Sequence, residues 1–291
     1  NDTIKTVEFN MDGDRLATGS LDGTVRIWNA EGREQFVYRG HEDAVLDVSW
    51  HPDGQRLASG GNDGTVRIWS IDGTTIAVLS DHEAPVNSVA WNPNGQLLAS
   101  GCENKTIRYW DAEGSPGLII EAHIGPVRGL QWNHQGTKLV SCDYGIESSN
   151  EQKEDQSHLK IWDTDGQLVS SVFVGQPLTD VCWSPGGTRV LAGSWRNAKM
   201  WVPGDPQAQI IVSNGSHNGV VKIDGFVPVA WRPSGDLIAA GSTVVSMIDE
   251  SETLMTLRDV VLSSVGLSPD GKLLGVGRGN ATFDIFDSDG H

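Results

Sequence analysis

The sequence repeats with a period of 41 residues, and this repeat constrains the fold more than any other feature. Each early copy begins with an aromatic residue that is followed four positions later by Gly, and these aromatic residues are Phe9, Trp50, Trp91 and Trp132. A second aromatic position follows 19 residues after the first in three copies, at Trp28, Trp69 and Trp110. A period of this length indicates one supersecondary unit that buries its faces against copies of itself.

The second copy predicts that the repeating unit is a four-stranded antiparallel meander. Four β-rich runs, at 44–50, 55–59, 65–69 and 74–79, alternate with turns rich in Pro, Gly, Asn and Asp. The Asp-Gly pairs in two of these turns favour tight hairpins, because Asp and Gly tolerate the positive φ that such turns need. No window of the sequence has a helical apolar period. Each unit is therefore predicted to be one four-stranded blade of an all-β protein.

Polar residues recur at fixed offsets within the early copies. A His, a Ser or Thr, an Asp or Asn and a Trp lie at offsets of 0, 18, 22 and 28, in full or in part: His41, Ser59, Asp63 and Trp69; His82, Ser100, Asn104 and Trp110; Thr18, Asp22 and Trp28; and His123, Ser141 and Trp162, across an insertion. In this pattern the chain resembles the WD-repeat β-propeller family. The resemblance implies a buried hydrogen-bond chain from indole to hydroxyl to imidazole to carboxylate. These residues are therefore expected to be structural, since a broken link leaves buried polar groups unpaired at ~1–3 kcal/mol each.

The repeat and the resemblance together predict one seven-bladed β-propeller over residues 1–291. The first aromatic-turn position recurs seven times, so that the blades begin near residues 1, 42, 83, 124, 175, 226 and 259. The last blade is expected to have three strands, because five residues follow Phe286 and the eight before Phe9 form the first strand of the first blade. Because Asn1 is not a Met, we expect a processed chain or a part of a larger chain or complex.

Charge and cysteine content narrow the partners and the compartment. The net charge of −17 disfavours nucleic acid and anionic membranes as partners, and it leaves open a basic protein or peptide partner or a general solubility role. No apolar run approaches the ~18 residues of a membrane span. An odd number of cysteines, Cys102, Cys142 and Cys182, falls within or beside predicted strands. Free thiols are typical of a reducing compartment, so we expect an intracellular protein, cytoplasmic or nuclear if eukaryotic.

The sequence predicts no catalytic, cofactor or metal site. The Asp-rich turns at 163–166 and 287–290 lack the Glu that a calcium loop needs at its twelfth position. The repeated His and Ser residues already have tetrad roles, and a nucleophile needs exposure and an oxyanion pocket. Four polar residues stand out in the first strands, without forming an obvious site: Asp47, Asn87, Arg128 and Asp180.

Irregularities in the repeat predict the binding face. The two aromatic positions are 30 residues apart, not 19, in the fourth copy, and a second insertion lies around 214–225. Both insertions fall in connections that emerge on one face of a propeller. Trp195 is the one Trp outside the repeat positions, and it lies beside Arg196 on that face. Trp and Arg are enriched at interface hot spots, so we predict a partner-binding set on this face: Trp195, Arg196, Tyr144, Ile146, His217 and Lys222. The alternative is that Trp195 packs locally and the acidic insertion is only solvated.

The function that follows is a non-catalytic scaffold that binds proteins or peptides and serves as a platform for complex assembly. Two alternatives remain open from the sequence. One is a propeller enzyme with a site in the central channel. The other is a structural domain of a larger multidomain signalling or transport protein.

Overall fold

The structure is a computed structural model that describes residues 2–145, 157–194, 197–213, 227–235, 237–240, 243–246, 253–256, 262–280 and 282–287. Within these ranges the chain forms 27 β-strands, and neighbouring strands of each sheet pair antiparallel. Among the described residues, no helix has the length and hydropathy needed to cross a bilayer.

Six sheets have four strands each, paired in chain order, and we call them blades 1 to 6. Blades 1 to 3 consist of β1 to β4 (Ile4–Phe9, Arg15–Ser20, Thr24–Asn29, Glu34–Arg39), β5 to β8 (Val45–Trp50, Arg56–Gly61, Val66–Ser70, Thr75–Leu79) and β9 to β12 (Val86–Trp91, Leu97–Cys102, Thr106–Asp111, Pro116–Glu121). Blades 4 to 6 consist of β13 to β16 (Val127–Trp132, Lys138–Asp143, His158–Asp163, Leu168–Phe173), β17 to β20 (Leu178–Trp183, Val190–Ser194, Asn197–Trp201, Gln209–Ser213) and β21 to β24 (Val229–Trp231, Leu237–Ala240, Thr243–Ser246, Thr253–Thr256).

The remaining strands form a smaller sheet, which we call the terminal sheet. It consists of β25 to β27 (Leu262–Leu267, Leu273–Arg278, Phe283–Asp287). The described residues thus contain six complete four-stranded blades and one three-stranded sheet. The all-β propeller of four-stranded antiparallel blades is confirmed, whereas the count of seven blades stays a prediction.

The sheets form a ring through their first strands. Each first strand packs against the first strand of the next sheet, and β25 packs against β1, so that the terminal sheet lies between blade 6 and blade 1. The core lies between neighbouring sheets rather than at one centre. Between blades 1 and 2, for example, Tyr38, Trp50 and Leu57 are at most 5% exposed and pack in one cluster. Burial of both sheet faces explains why the strands read as apolar runs rather than as a strict alternation.

Turn chemistry fixes the hairpins between second and third strands. Gly23 and Gly64 hold positive φ in these turns in blades 1 and 2, at +77° and +76°. Lys105 holds the same conformation in blade 3, with φ of +76°, and is a non-glycine residue in the left-handed region. A side chain there costs about 1–2 kcal/mol, because Cβ approaches the following carbonyl.

We expect Lys105→Gly to stabilise the protein by about 0.5–1 kcal/mol, after the added freedom of Gly in the unfolded chain is subtracted. Lys105 is exposed, and its carbonyl, which accepts from Ala122 and His123, is kept in the variant. Denaturant unfolding measures the change. The matched control is Gly64→Ala, which should lose stability because its Cβ meets carbonyl oxygens at 3.4 Å. A destabilised Lys105→Gly variant would contradict the expectation.

Candidate binding face

The blade 2 tetrad is a continuous buried hydrogen-bond chain. Trp69 Nε1 donates to Ser59 Oγ at 2.8 Å, and Ser59 Oγ lies 2.7 Å from His41 Nε2. His41 Nδ1 lies 3.0 Å from Asp63 Oδ2. Burial lowers the pKa of His41, although Asp63 opposes this shift. A neutral imidazole that donates from Nδ1 and accepts at Nε2 satisfies every link.

The blade 3 tetrad contains only three of the four residues placed by the sequence. His82 Nε2 lies 2.7 Å from Ser100 Oγ, and Trp110 donates to the same oxygen at 2.8 Å. Asn104 does not join this chain, because its Oδ1 accepts from the hydroxyl and amide of Thr106. His82 Nδ1 has no hydrogen-bond partner. Burial, followed by the charge of Arg108, lowers the pKa of His82 to about 4.

The blade 4 tetrad takes its carboxylate from a residue that the sequence analysis did not assign. His123 Nε2 lies 2.6 Å from Ser141 Oγ, which also accepts from Trp162 at 2.8 Å. His123 Nδ1 faces Asp143 Oδ2 at 3.5 Å, and both side chains are fully buried. Asp143 lies two residues after Ser141, before the insertion, whereas the acid of blade 2 lies in the turn itself. An Asp close after the tetrad Ser was the signal in the sequence.

Blade 1 holds the hydroxyl, the carboxylate and the indole of a tetrad. Trp28 Nε1 donates to Thr18 Oγ1 at 3.0 Å. Asp22 Oδ1 accepts from the hydroxyl and the amide of Thr24 at 2.5 and 3.1 Å. The tetrad residues thus lie inside the blades or under their turns, where they stabilise the fold.

Side chains of the first strands bridge neighbouring sheets at one equivalent position, which the sequence analysis did not foresee. Each bridging residue accepts the amide of the next first strand, and the pairs are Asp47–Val89 (3.0 Å), Ser88–Leu130 (3.1 Å), Asp180–Val229 (2.9 Å) and Ser264–Val7 (3.0 Å). Two residues further along, Glu8, Ser49 and Gln131 accept the amides of Trp50, Trp91 and Trp183 in the same way. Asp47 and Asp180 therefore join blades and do not form a catalytic pair.

Burial of the bridging carboxyls changes their titration. Burial raises the pKa of Asp47 to about 6 and that of Asp180 to about 7, against the lowering effect of their hydrogen bonds. It raises the pKa of Glu8 to about 8. Lowered dielectric disfavours the charged form of each group.

A one-residue bulge brings a side chain of each first strand to one face of the ring. The register skips one residue in β1, β5, β9, β13, β17 and β25, and the skipped residues are Lys5, Leu46, Asn87, Arg128, Thr179 and Ser263. Each bulge lies next to the pair formed with the end of the second strand, so it lies on the face of the second-to-third turns. Bulges re-aim side chains and are common near functional sites. This is the face on which the sequence placed the insertions.

Four residues on this face contact one another, and we call them the mouth cluster: Asn87, Glu103, Arg128 and Tyr144. Asn87 Nδ2 donates to Glu103 Oε2 at 2.9 Å, and Arg128 Nη1 lies 3.3 Å from the same oxygen. The Arg128 guanidinium also lies over the Tyr144 ring, 5.3 Å from its centroid. Burial and then the charge of Arg128 lower the pKa of Lys5.

The predicted partner-binding set is described at one residue. Tyr144 is half-buried and contacts Arg128. The other five residues of that set lie outside the described residues: Trp195, Arg196, Ile146, His217 and Lys222. The structure thus adds Asn87, Glu103 and Arg128 to this face, and the sequence had not joined them.

The potential nucleophiles of the described residues are enclosed. Ser59, Ser100 and Ser141 are fully buried. The three cysteines are free and buried, and burial raises the pKa of each thiol. In the described part of the chain, no group of three His, Cys, Asp or Glu side chains could hold a metal ion.

Comparison with protein families agrees with this architecture. The model of the WD domain, G-beta repeat, matches residues 1–29, 32–70, 73–111 and 166–201. The repeats and the arrangement of the sheets together identify the chain as a WD-repeat β-propeller. A search of curated proteins found no significant match. Two of the matched segments begin in the third-to-fourth turn of one blade and end at the third strand of the next, so the family's repeat unit is offset from the blade.

Proposed function

We propose that this chain is a non-catalytic platform that binds a protein or an extended peptide at the mouth cluster. Propellers of this family are generally protein-interaction scaffolds. The observation that carries the proposal is the fixed position of Arg128, between Glu103 on one side and the Tyr144 ring on the other. A third of the Arg128 side chain stays exposed, at 33%. A held and exposed guanidinium can meet a partner's carbonyl or carboxylate with little ordering cost.

Charge supports a partner with a basic surface. The net charge of −17 would attract such a partner over long distances, with an effect on the association rate that salt suppresses. Glu103 is 38% exposed and offers that partner a contact beside Arg128. Trp195 and Arg196, with Ile146, His217 and Lys222, extend the proposed surface on sequence grounds alone.

The wider organisation is proposed on the same basis. Residues 1–291 would form a single domain in which the terminal sheet is a seventh blade, because β25 carries the same bulge and the same bridging position as the first strands of blades 1 to 5. An intracellular role within a larger complex is supported by three buried free thiols.

We expect Arg128→Ala to weaken peptide binding by about tenfold or more, because a hot-spot side chain contributes about 1.4 kcal/mol or more. Peptides are first selected from a displayed random library against the unmodified protein, and their affinities are then measured by calorimetry. The matched control is Arg33→Ala. It removes the same charge from an exposed third-to-fourth turn on the opposite face.

Equal affinity in the Arg128→Ala variant and the unmodified protein would contradict the proposal. A loss of the same size in Arg33→Ala would show that only overall charge matters. Thermal unfolding should change little in either variant, because exposed ion pairs contribute about 0–1 kcal/mol. Repeating the measurement at high salt separates long-range attraction from contact, since screening weakens only the former strongly.

A further inference from the structure

A cavity lies on the rim of the ring, between blade 1 and the terminal sheet. Its volume is about 250 Å³, and its lining includes Ser20, Asp22, Arg26, Trp28, Thr282 and Phe283. Trp28 and Phe283 lie across it from the two sheets, with ring centroids 4.7 Å apart. The site is distinct from the mouth cluster, which involves blades 3 and 4.

The cavity corresponds to the place that an imidazole fills in blades 2 to 4. There His41, His82 and His123 lie 2.6–2.7 Å from the tetrad hydroxyl. Blade 1 presents Thr18, Asp22 and Trp28 at the same offsets. Ser20 occupies the position of Gly61, where a Cβ would crowd His41, but Cys102 holds that position beside His82 in blade 3. A side chain at position 20 is therefore compatible with an imidazole.

The burial of the tetrad indoles points to a missing neighbour. Trp69, Trp110 and Trp162 are at most 5% exposed, whereas Trp28 is only half-buried. In the three buried cases, the fourth strand of the preceding blade ends shortly before the tetrad His. Tyr38 on that strand, for example, lies 5.1 Å from Trp69 between ring centroids.

The cavity continues into an open sheet edge. Within the described residues, β27 pairs with β26 and with no fourth strand, whereas every blade has a strand beyond its third. Phe283 is both the first residue of β27 and part of the cavity lining. Exposed edges of this kind pair readily with an added strand.

The chain itself shows which segment fits an edge and a cavity together. In β4, β8 and β12 a buried apolar residue, Tyr38, Leu79 or Ile120, lies three residues before the tetrad His. The strand pairs with the third strand of its own blade, the apolar residue covers the next indole, and the His enters the next tetrad. The same arrangement fits β27, Trp28 and Thr18.

We propose that this edge and cavity form a docking site for an extended segment of a partner protein, in which a large apolar residue precedes a His by three positions. The segment adds to β27 as a fourth strand. Its apolar side chain covers Trp28, and its imidazole accepts from the Thr18 hydroxyl and donates to Asp22. The site thus takes a β-strand with a C-terminal His anchor.

Three synthetic peptides test this site in solution. The first has the sequence of residues 34–41, Glu-Gln-Phe-Val-Tyr-Arg-Gly-His. The second replaces its His with Ala, and the third carries N-methyl groups on alternate amides, which keeps the side chains but prevents strand pairing. Fluorescence polarisation of labelled peptide measures affinity. We expect the first peptide to bind, the Ala peptide to bind about tenfold more weakly, and the N-methylated peptide not to bind.

Thr18→Val tests the anchor from the protein side. This variant keeps the shape of the side chain and removes the hydroxyl, so it should weaken binding of the His peptide and leave that of the Ala peptide unchanged. Comparing the two peptides on one variant keeps the result meaningful even if the variant is less stable. Arg128→Ala should not affect either peptide, so failure here and failure at the mouth cluster are distinguishable.

Three results would overturn the proposal. The first is no binding of the His peptide, and the second is equal binding of the His and Ala peptides. The third is a dimer of the protein alone, seen by sedimentation, whose formation excludes the peptide, because a second copy would then be the occupant of the edge.

Discussion

Replacing Ser59 with Ala should destabilise the protein by about 2–4 kcal/mol, because two buried polar groups lose their partner at once. Ser59 is fully buried, and its hydroxyl accepts from Trp69 Nε1 and contacts His41 Nε2. No water can replace the oxygen cheaply in a close-packed interior. We expect the melting temperature to fall by about 5–10 °C.

Ser80→Ala is the matched control for this measurement. Ser80 is exposed and lies two residues before the next tetrad His, so the same chemical change should stay within about 0.5 kcal/mol. Library-selected peptides should bind the folded Ser59→Ala variant normally. A loss of stability below 1 kcal/mol would mean that the tetrad contributes little.

The second large effect is a gain of stability as the pH falls from about 8 to 6.5. Burial raises the pKa of Glu8 from 4.5 to about 8, so the folded protein keeps a proton there that the unfolded chain releases above pH 4.5. Stability from this group is fully present below pH 4.5 and is lost as the pH rises towards 8. Asp180 and Asp47 act in the same direction, with pKa values of about 7 and 6.

The tetrad histidines oppose this gain at lower pH. Burial lowers the pKa of His41, His82 and His123, so the unfolded chain binds protons more readily below pH 6.5 and stability falls there. Thermal unfolding should therefore show a maximum at mildly acidic pH.

Glu8→Gln isolates the contribution of one carboxyl. The Gln side-chain oxygen can accept the Trp50 amide as Glu8 does, at 2.5 Å in the unmodified protein. The variant should lose at most ~2 kcal/mol of the pH-dependent change between pH 6.5 and 8, at ~1.4 kcal/mol per unit. Glu31→Gln, at an exposed turn position, is the control for charge alone. Identical pH profiles for both variants would contradict a raised pKa at Glu8.

The sequence predicted those parts of the structure that depend on spacing along the chain. The blade 2 tetrad follows from offsets, because the turns between His41 and Trp69 have fixed lengths. The same rule failed at Asn104, where a local bond to Thr106 competes with His82. It also missed Asp143, because the insertion in blade 4 removes the turn from which the acid would come.

The contacts between blades could not be predicted from spacing. Asp47 and Asp180 stood out as polar residues in apolar strands, but their acceptor role depends on an amide of the neighbouring blade. The mouth cluster likewise joins residues of two blades through bulges, which a single strand does not reveal. Most of the predicted partner-binding set lies outside the described residues, so that prediction still depends on the insertions.

The bridge from Ser264 to the Val7 amide, 3.0 Å long, has a consequence for how the molecule unfolds. In a linear repeat array, the terminal units have one neighbour and fray first. Closure of the ring gives every sheet two neighbours, so that no unit is an end. Loss of this one joint would turn the ring into an open arc with two fraying ends. A local change there would therefore lower the unfolding cooperativity of distant blades.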